Sequence, residues 1–288
     1  MTFITGTEDR LSSHAAAALP PVVRLMGVDV TPLASYEQAL ACIERIVAGG
    51  GGKSFWAAIN PQKMYRAWRE PALREALGSA GAGICDGIGV SLAAGILQGR
   101  WLRRITGCDL FTRIIPLAAQ RGWGVFLLGA SAQANQKAAE NLRRQYPSLR
   151  IVGRRDGFFE DDAEVVREIN QTRPDLLFVA MGSPRQEFWI ARHMASIDAR
   201  FFMGVGGTFD VVGGLARRAP RLLRAVGLEF LYQLVTQPKR WQRQIIYVPF
   251  LLRVLGRRLS GRRIEELPRL KIPRAKRLAD PQEPNVSR

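Results

Sequence analysis

The residues best suited to chemistry follow a strongly apolar run at residues 175–189, which read DLLFVAMGSPRQEFW. The apolar part predicts a strand buried on both faces, and the glycine that follows it allows a tight turn with exposed backbone amides. Pro184 is expected at the first position of the next helix. The pattern predicts either an edge that binds a diphosphate or sugar, or an ordinary turn with solvated side chains. The residues expected at the ligand are Gly182, Ser183, Arg185, Gln186 and Glu187.

Glycines and polar residues also follow other predicted strands. Ligands bind outside the carboxyl ends of the strands in open parallel sheets, so these residues are predicted to converge. Backbone amides and helix N-termini there could meet the charge of a nucleotide diphosphate without a metal. The alternative is that the glycines only close tight turns. The residues concerned are Asn60, Asp86, Gly87, Gly129, Ala130, Ser131, Gly206 and Gly207.

The elements that must position these residues alternate along the chain. Strands are predicted at 54–59, 83–85, 124–128, 150–152, 175–181 and 200–205, and helices at 36–47, 73–80, 132–145, 163–171 and 184–194. This alternation predicts an α/β fold with an open, mostly parallel sheet and helices on both faces, Rossmann-like in type. Neither GxGxxG after a strand nor GxxxxGK[ST] occurs, which disfavours NAD and ATP chemistry.

Charge is concentrated near the C-terminus. Residues 217–277 hold 17 of the 42 basic residues but only 3 of the 25 acidic ones, within a net charge of +17. Such a segment is typical of contact with an anionic surface, either membrane lipid or nucleic acid. Apolar residues interleaved with arginines between 241 and 255 favour an anionic membrane surface. The residues predicted at the membrane are Arg240, Trp241, Arg243, Arg253, Arg257 and Arg258.

Four segments are predicted from these patterns: a mobile arm at 1–21, an α/β catalytic domain at 22–215, a helical membrane-associating appendage at 216–260 and a basic disordered tail at 261–288. The sequence has no apolar run of about 20 residues and no apolar stretch after a basic start, which argues against a membrane span and a signal peptide. Its three cysteines contain no CxxC pair, so a zinc cluster or disulfide framework is not indicated.

Five motifs together resemble one family. They are RITG at 104–107 with Asp109, DGIGV at 86–90, GSPRQE at 182–187, GVGGTFD at 204–210, and RAP at 218–220 followed by PKRW at 238–241. Their order and spacing resemble the WecG/TagA/CpsF glycosyltransferases, which form glycosyltransferase family 26. The resemblance extends from about residue 22 to residue 255.

That resemblance implies transfer of a sugar from a UDP donor to a polyprenyl-diphosphate-linked sugar, in exopolysaccharide or envelope glycan synthesis. It implies an inverting enzyme with no metal and no cofactor, held peripherally on the cytoplasmic face of the plasma membrane. UDP-N-acetylmannosamine, its uronic acid and UDP-glucose all remain candidate donors, and a homo-oligomer is compatible with the sequence. The competing hypothesis is a non-catalytic, basic nucleic-acid-binding protein, although no recognition fold or base-stacking motif is visible.

The resemblance also implies roles for single residues. Asp86 matches the proposed general base, whereas its residue type and position also suit a helix N-cap. Arg104 is predicted to meet the charge of the leaving group through its bidentate donors, the alternative being a surface salt bridge. Two positions depart from the family pattern, with Ala58 in place of a common threonine and Cys85 in place of a common proline. Gln186 matches the family's glutamine in the cleft and is predicted to be catalytic together with Asp86 and Arg104. The other matched residues are Asn60, Thr106, Asp109 and Arg218.

Overall fold

The computed structural model describes residues 19–49, 52–220 and 246–260. At its centre lies a six-stranded, all-parallel sheet with helices on both faces, which confirms the predicted fold class. The strands of the described chain are β1 Val23–Leu25, β2 Val28–Val30, β3 Ser54–Ile59, β4 Ala82–Cys85, β5 Gly124–Gly129, β6 Arg150–Arg155, β7 Leu176–Ala180 and β8 Phe201–Gly204.

The helices of the described chain are α1 Tyr36–Val47, α2 Pro61–Arg69, α3 Pro71–Gly78, α4 Ile88–Gln98, α5 Gly107–Arg121, α6 Ala132–Gln145, α7 Asp162–Thr172, α8 Arg185–His193, α9 Thr208–Val212 and α10 Tyr247–Leu259. All five predicted helices are present. Their boundaries differ from the predicted ones by at most two residues, and at α8 the carbonyl of Pro184 accepts the first helical hydrogen bond from Phe188. Pro184 is therefore the N-cap of α8, and the helix begins at Arg185.

All six predicted strands are present, and their order in the sheet is β4-β3-β8-β7-β5-β6. A short antiparallel hairpin, β1 and β2, was not predicted, because three residues per strand are too few to show an alternating pattern. In the six-stranded sheet, β3 and β8 are neighbours near the centre, with β4 beyond β3 and β7 beyond β8. The carboxyl ends of these four strands therefore form one continuous edge.

Two apolar cores lie on the two faces of the sheet. Successive side chains of a strand point to opposite faces, so the adjacent residues Phe201 and Phe202 of β8 enter different cores. Phe202 packs with Phe55 and Phe126 on one side. Phe201 contacts Trp56 edge-on at 5.5 Å between ring centroids on the other. Since every residue of β5, β7 and β8 is buried, polar groups are confined to the ends of these strands.

The last described helix, α10, packs against the α/β body. Phe250 and Val254 are buried in the same core as Phe202, and α10 lies against α4 and α2. Arg253 stacks over the ring of Trp68 in α2, with its guanidinium carbon 3.4 Å from the ring centroid. Residues 1–18 of the predicted arm, residues 221–245 of the appendage and the predicted tail at 261–288 lie outside the described residues. The predicted division of the chain stays a prediction.

Gly129 is expected to tolerate no side chain. Its φ is +110°, and an added Cβ would lie 2.6 Å from the backbone carbonyl carbon of Ala180 in the neighbouring strand. Overpacking against fixed backbone adds to the conformational strain, so Gly129→Ala should lower the free energy of unfolding by about 3 kcal/mol. Equilibrium unfolding in urea measures this loss.

The matched control is Gly122→Ala. Gly122 also has a positive φ, +69°, but an added Cβ would meet nothing within 4 Å. Only the conformational strain applies there, and the expected loss is about 1 kcal/mol. Equal losses at the two glycines would contradict the packing explanation.

Candidate active site

A cavity of about 610 Å³ opens at the carboxyl ends of β3, β4 and β8. This volume lies in the range of about 300–1,000 Å³ that is usual for small-molecule sites. Its ionisable lining residues are Lys63, Asp86, Arg104, Cys108, Asp210, Arg217, Arg218 and Tyr247. The lining therefore carries four cationic side chains and two carboxylates, an arrangement suited to an anionic ligand.

Asp86 follows β4 directly and is half-buried in the cavity lining. Its backbone N–H donates to the carbonyl of Ile59 at 2.8 Å, which ties it to the end of β3. The N-cap of α4 is Gly87, with φ +118° and no side-chain capping bond. Gly87, and not Asp86, therefore occupies the N-cap position of α4.

Cys85 lies beneath Asp86 at the end of β4 and is buried. The pKa of the Cys85 thiol is raised to about 12, first by burial and then by the negative charge of Asp86, while the positive charge of Arg104 opposes the shift. The thiol is therefore neutral at ordinary pH. The charges of Asp86 and Arg104 both act on the Cys85 thiol. These two residues, 18 positions apart in the chain, are therefore close together in the cavity.

Thr106, Asp109 and Arg218 form a hydrogen-bonded cluster at the start of α5. The Thr106 hydroxyl caps the helix by accepting from the Asp109 backbone at 3.2 Å, and it donates to the Asp109 carboxylate at 2.7 Å. Arg218 donates to the other oxygen of Asp109 at 2.6 Å and to Thr106 at 3.4 Å. Asp109 thus holds the arginine that lines the cavity, while its own side chain lies outside the lining.

Tyr36 of α1 supports this cluster from behind. Its hydroxyl oxygen accepts a hydrogen bond from the Thr106 backbone at 3.1 Å, and the guanidinium of Arg113 stacks over its ring. Burial is the largest effect on the tyrosine and raises its pKa above the usual value. The hydroxyl therefore stays protonated across the neutral range.

Gln186 and Glu187 are both buried, although they were predicted to face a ligand together. Gln186 lines the cavity, whereas Glu187 lies outside the lining and pairs with Lys63. Asn60 also lines the cavity, and its side-chain oxygen caps α2 by accepting from the Lys63 backbone at 2.8 Å. The first turns of α2 and α8 are thereby joined beside the cavity.

The cavity gathers ten of the predicted site residues, namely Asn60, Asp86, Gly87, Arg104, Thr106, Ser183, Gln186, Gly206, Gly207 and Arg218. Other predicted residues lie outside its lining. Among these, Gly129, Ala130 and Ser131 follow β5, which is separated from β8 by β7. The backbone N–H of Ala130 donates to the carbonyl of Ala180, and the side chain of Ser131 caps α6. Gly182 lies in the turn before α8, and the guanidinium of Arg185 stacks over the ring of Phe159.

The chain is similar to known proteins over most of its length. The model of the glycosyl transferase WecG/TagA/CpsF family matches residues 23–264.

The chain belongs to the WecG/TagA/CpsF glycosyltransferase family.

Two relatives are named N-acetylglucosaminyldiphosphoundecaprenol N-acetyl-beta-D-mannosaminyltransferase. The protein from Bacillus spizizenii (strain ATCC 23059 / NRRL B-14472 / W23) is 34% identical over 202 residues, covering 70% of this chain and 79% of the relative. The protein from Bacillus subtilis (strain 168) is 31% identical over 199 residues, covering 69% of this chain and 78% of the relative. The predicted membership of the family is thus confirmed.

Six residues with polar side chains line the cavity of this WecG/TagA/CpsF glycosyltransferase but were not among the predicted site residues: Lys63, Cys108, Thr208, Asp210, Arg217 and Tyr247. Lys63 stands three residues after Asn60, and Asp210 ends the GVGGTFD motif. Both therefore lie close to segments that were already predicted to form the site, and could have been predicted with them. No sequence pattern indicates Tyr247 as a site residue, because only the packing of α10 brings it to the cavity. Ala58 also lines the cavity, so a methyl group stands where the family resemblance leads us to expect a hydroxyl.

Within the described residues, no group of three or more His, Cys, Asp or Glu side chains is placed to hold a metal ion. None of the described helices is long and apolar enough to cross a membrane. The predicted membrane residues Arg240, Trp241 and Arg243 lie outside the described residues.

Cys108 is expected to be the first thiol to react in the folded WecG/TagA/CpsF enzyme. It lines the cavity and is partly exposed, whereas Cys42 and Cys85 are buried with raised pKa values. The thiolate is the reactive form, and the thiolate fraction of Cys85 grows only as the pH approaches its pKa of about 12.

Iodoacetamide at pH 8 should therefore label Cys108 at least tenfold faster than Cys85, as measured by peptide mass spectrometry. Cys108→Ser should remove the fast label, and denaturation should equalise the remaining thiols. Labelling of Cys85 in the folded protein at the rate of Cys108 would contradict this assignment.

Proposed function

We propose that this chain is an inverting glycosyltransferase that moves a sugar from a UDP donor to a polyprenyl-diphosphate-linked sugar. The observation that carries the proposal is a cavity in which half-buried Asp86 shares the lining with four cationic side chains. Inversion needs a base near the attacking hydroxyl and positive charge near the departing diphosphate. The cavity contains both kinds of group. The cations are Lys63, Arg104, Arg217 and Arg218.

In the proposed reaction the acceptor hydroxyl oxygen forms a bond to the anomeric carbon of the donor. Asp86 takes the hydroxyl proton as that bond forms, and the bond from the anomeric carbon to the UDP oxygen breaks with its electron pair going to UDP. Arg104 then stabilises the new charge on the diphosphate, because a guanidinium offers fixed paired donors to phosphate oxygens. The cationic side chains supply this stabilisation without a metal ion.

The substrates are proposed from the relatives. Both are named for transfer of N-acetylmannosamine to N-acetylglucosaminyldiphosphoundecaprenol. These names support a polyprenyl-diphosphate-linked acceptor here, and among the three candidate donors they favour UDP-N-acetylmannosamine. The proposed process is exopolysaccharide or envelope glycan synthesis. Family membership also favours a transferase over the nucleic-acid-binding alternative.

We further propose peripheral attachment to the cytoplasmic face of the membrane through α10. The buried side of this helix holds Phe250 and Val254, while its other sides leave apolar residues exposed. Arg257 and Arg258 stand in its last turn, where they could meet anionic lipid head groups. The exposed apolar residues of α10 are Val248, Leu251, Leu252, Leu255 and Leu259.

Replacing the proposed base should stop turnover while leaving the fold intact. Asp86→Asn keeps the size and removes the proton acceptor, and loss of general-base catalysis is expected to lower kcat by about 10²–10⁴-fold. The assay is UDP release in liposomes that contain a polyprenyl-diphosphate-linked sugar, with each candidate donor and with EDTA present. EDTA is expected to leave the rate unchanged.

Asp198→Asn is the matched control, because Asp198 is exposed and lies outside the cavity lining. It should keep the wild-type rate, and all variants should melt within a few degrees of one another. A fully active Asp86→Asn enzyme would remove Asp86 from the role of base. Folded wild-type protein that releases UDP from no donor would overturn the proposed function.

Charge placed on the exposed side of α10 should weaken membrane binding. Leu252 and Leu259 are 64% and 86% exposed, so Leu252→Glu with Leu259→Glu should leave the fold stable. Removing two apolar contacts and adding two negative charges is expected to reduce the affinity for anionic vesicles at least tenfold. Co-sedimentation of the full chain with phosphatidylglycerol vesicles measures it.

Phe158→Glu is the control, because Phe158 is 80% exposed but lies between β6 and α7, away from α10. Its vesicle binding should equal that of the wild type. If the double variant of α10 bound as tightly as the wild type, α10 would not be the membrane contact.

A further inference from the structure

An ion pair is buried beside the cavity, between the first turns of α2 and α8. The ammonium of Lys63 donates to one carboxylate oxygen of Glu187 at 2.7 Å. Lys63 is 5% exposed and Glu187 is fully buried. Lys63 is one of the four cations of the cavity lining, but the reaction proposed above gives Glu187 no role and does not explain why both charges are buried here.

Such a pair is a poor device for stability alone. Burying two charges loses their hydration, and well-packed apolar residues of the same size often serve as well. The second carboxylate oxygen of Glu187 makes no hydrogen bond to any described residue, which adds to the cost. The buried carboxylate would be explained if the protein needs Glu187 to accept a hydrogen bond, which an apolar residue cannot do.

The neighbouring residue, Gln186, supplies that role. Its side-chain Nε2 donates to Glu187 at 2.9 Å, on the same carboxylate oxygen that Lys63 contacts. Its Oε1 accepts from the backbone N–H of Gly206 at 3.0 Å. The amide of Gln186 is thus held at both ends, between a carboxylate next to it in sequence and the loop that follows β8.

These two contacts permit only one orientation of the amide. A carboxylate can only accept and a backbone N–H can only donate, so Nε2 must face Glu187 and Oε1 must face Gly206. In the flipped orientation, two oxygens would face each other at Glu187 and two donors at Gly206. The carboxylate of Glu187 and the backbone N–H of Gly206 therefore together decide which way the Gln186 amide points.

The loop after β8 is shaped to receive this amide. An added Cβ on Gly204 would lie 2.4 Å from Nε2 of Gln186, so a glycine is required for the side chain to fit. Gly204, Gly206 and Gln186 all line the cavity. The oriented amide is thus part of the cavity surface, and its Nε2 has a second hydrogen to offer there.

We propose that Glu187, with its charge balanced by Lys63, is a positioning residue that fixes the Gln186 amide so that its second Nε2 hydrogen meets an oxygen of the bound sugar nucleotide. This rests on the proposed function in one respect, the identity of the ligand. What matters at position 187 is a hydrogen-bond acceptor toward Gln186, and Lys63 serves to make a carboxylate tolerable there.

The test compares two variants that both remove the buried charges. Lys63→Met with Glu187→Gln keeps an acceptor oxygen at position 187, whereas Lys63→Met with Glu187→Met has a side chain of similar size without one. If the Lys63–Glu187 ion pair only joins the two helices, both variants should have the same kcat and the same melting temperature. The positioning role predicts that the variant with methionine at both positions has a kcat at least tenfold lower, at similar melting temperatures.

Two further measurements separate positioning from a general loss of structure. Hydrogen exchange at the Gly206 amide should stay slow with glutamine at position 187 and become at least tenfold faster with methionine there. In a Gln186→Ala background, the two variants should have equal kcat, because the side chain to be oriented is gone. Arg66→Met with Glu70→Gln is the control, since this ion pair lies on α2 with both side chains partly exposed and should change neither quantity.

Equal kcat values and equal Gly206 exchange in the two variants would overturn the proposal. If the double variants do not fold, the single changes Glu187→Gln and Glu187→Met give the same contrast with Lys63 in place. Hydrogen exchange needs no substrate, so it decides the positioning role even if the wild-type enzyme releases UDP from no donor. Failure of the proposed function and failure of the positioning role are thereby distinguishable.

Discussion

Burial of a parallel sheet on both faces is the constraint from which the rest of this structure follows. Strands β5, β7 and β8 are buried at every residue, so their side chains have no room for charge. Their backbone groups are satisfied within the sheet, and unpaired groups occur only where the strands end. The carboxyl ends of β3, β4 and β8 lie side by side, and the cavity opens at that edge.

The electrostatics of the cavity come from elements that are far apart in sequence. Lys63 enters from α2 and Arg104 from the segment before α5, while Arg217 and Arg218 follow α9. Arg218 is held in place by Asp109, whose carboxylate also accepts from the Thr106 hydroxyl. A ligand with several negative charges would therefore meet donors that are already oriented, which lowers the cost of ordering them on binding.

Helix α10 links the cavity to a surface suited to lipid. Tyr247, at its first position, lines the cavity, and Phe250 and Val254 fasten the helix to the α/β body. The exposed apolar residues of the same helix face away from that core. One element thus bounds the reaction cavity and offers the membrane-facing surface proposed above, an arrangement that would keep a lipid-linked acceptor close to the proposed base, Asp86.

The sequence by itself determined the fold class, the six strands of the main sheet and ten of the cavity residues, because apolar runs, turn glycines and strand-end motifs are local signals. Tertiary structure alone decided the rest. The order of the strands left Gly129 and its neighbours outside the cavity, although their local pattern matches that of Gly206. Glu187 was predicted at the ligand from its place in a helical first turn, but it is buried and pairs with Lys63, 124 residues away. Such pairings depend on which helices meet in space, and no pattern along one segment encodes that.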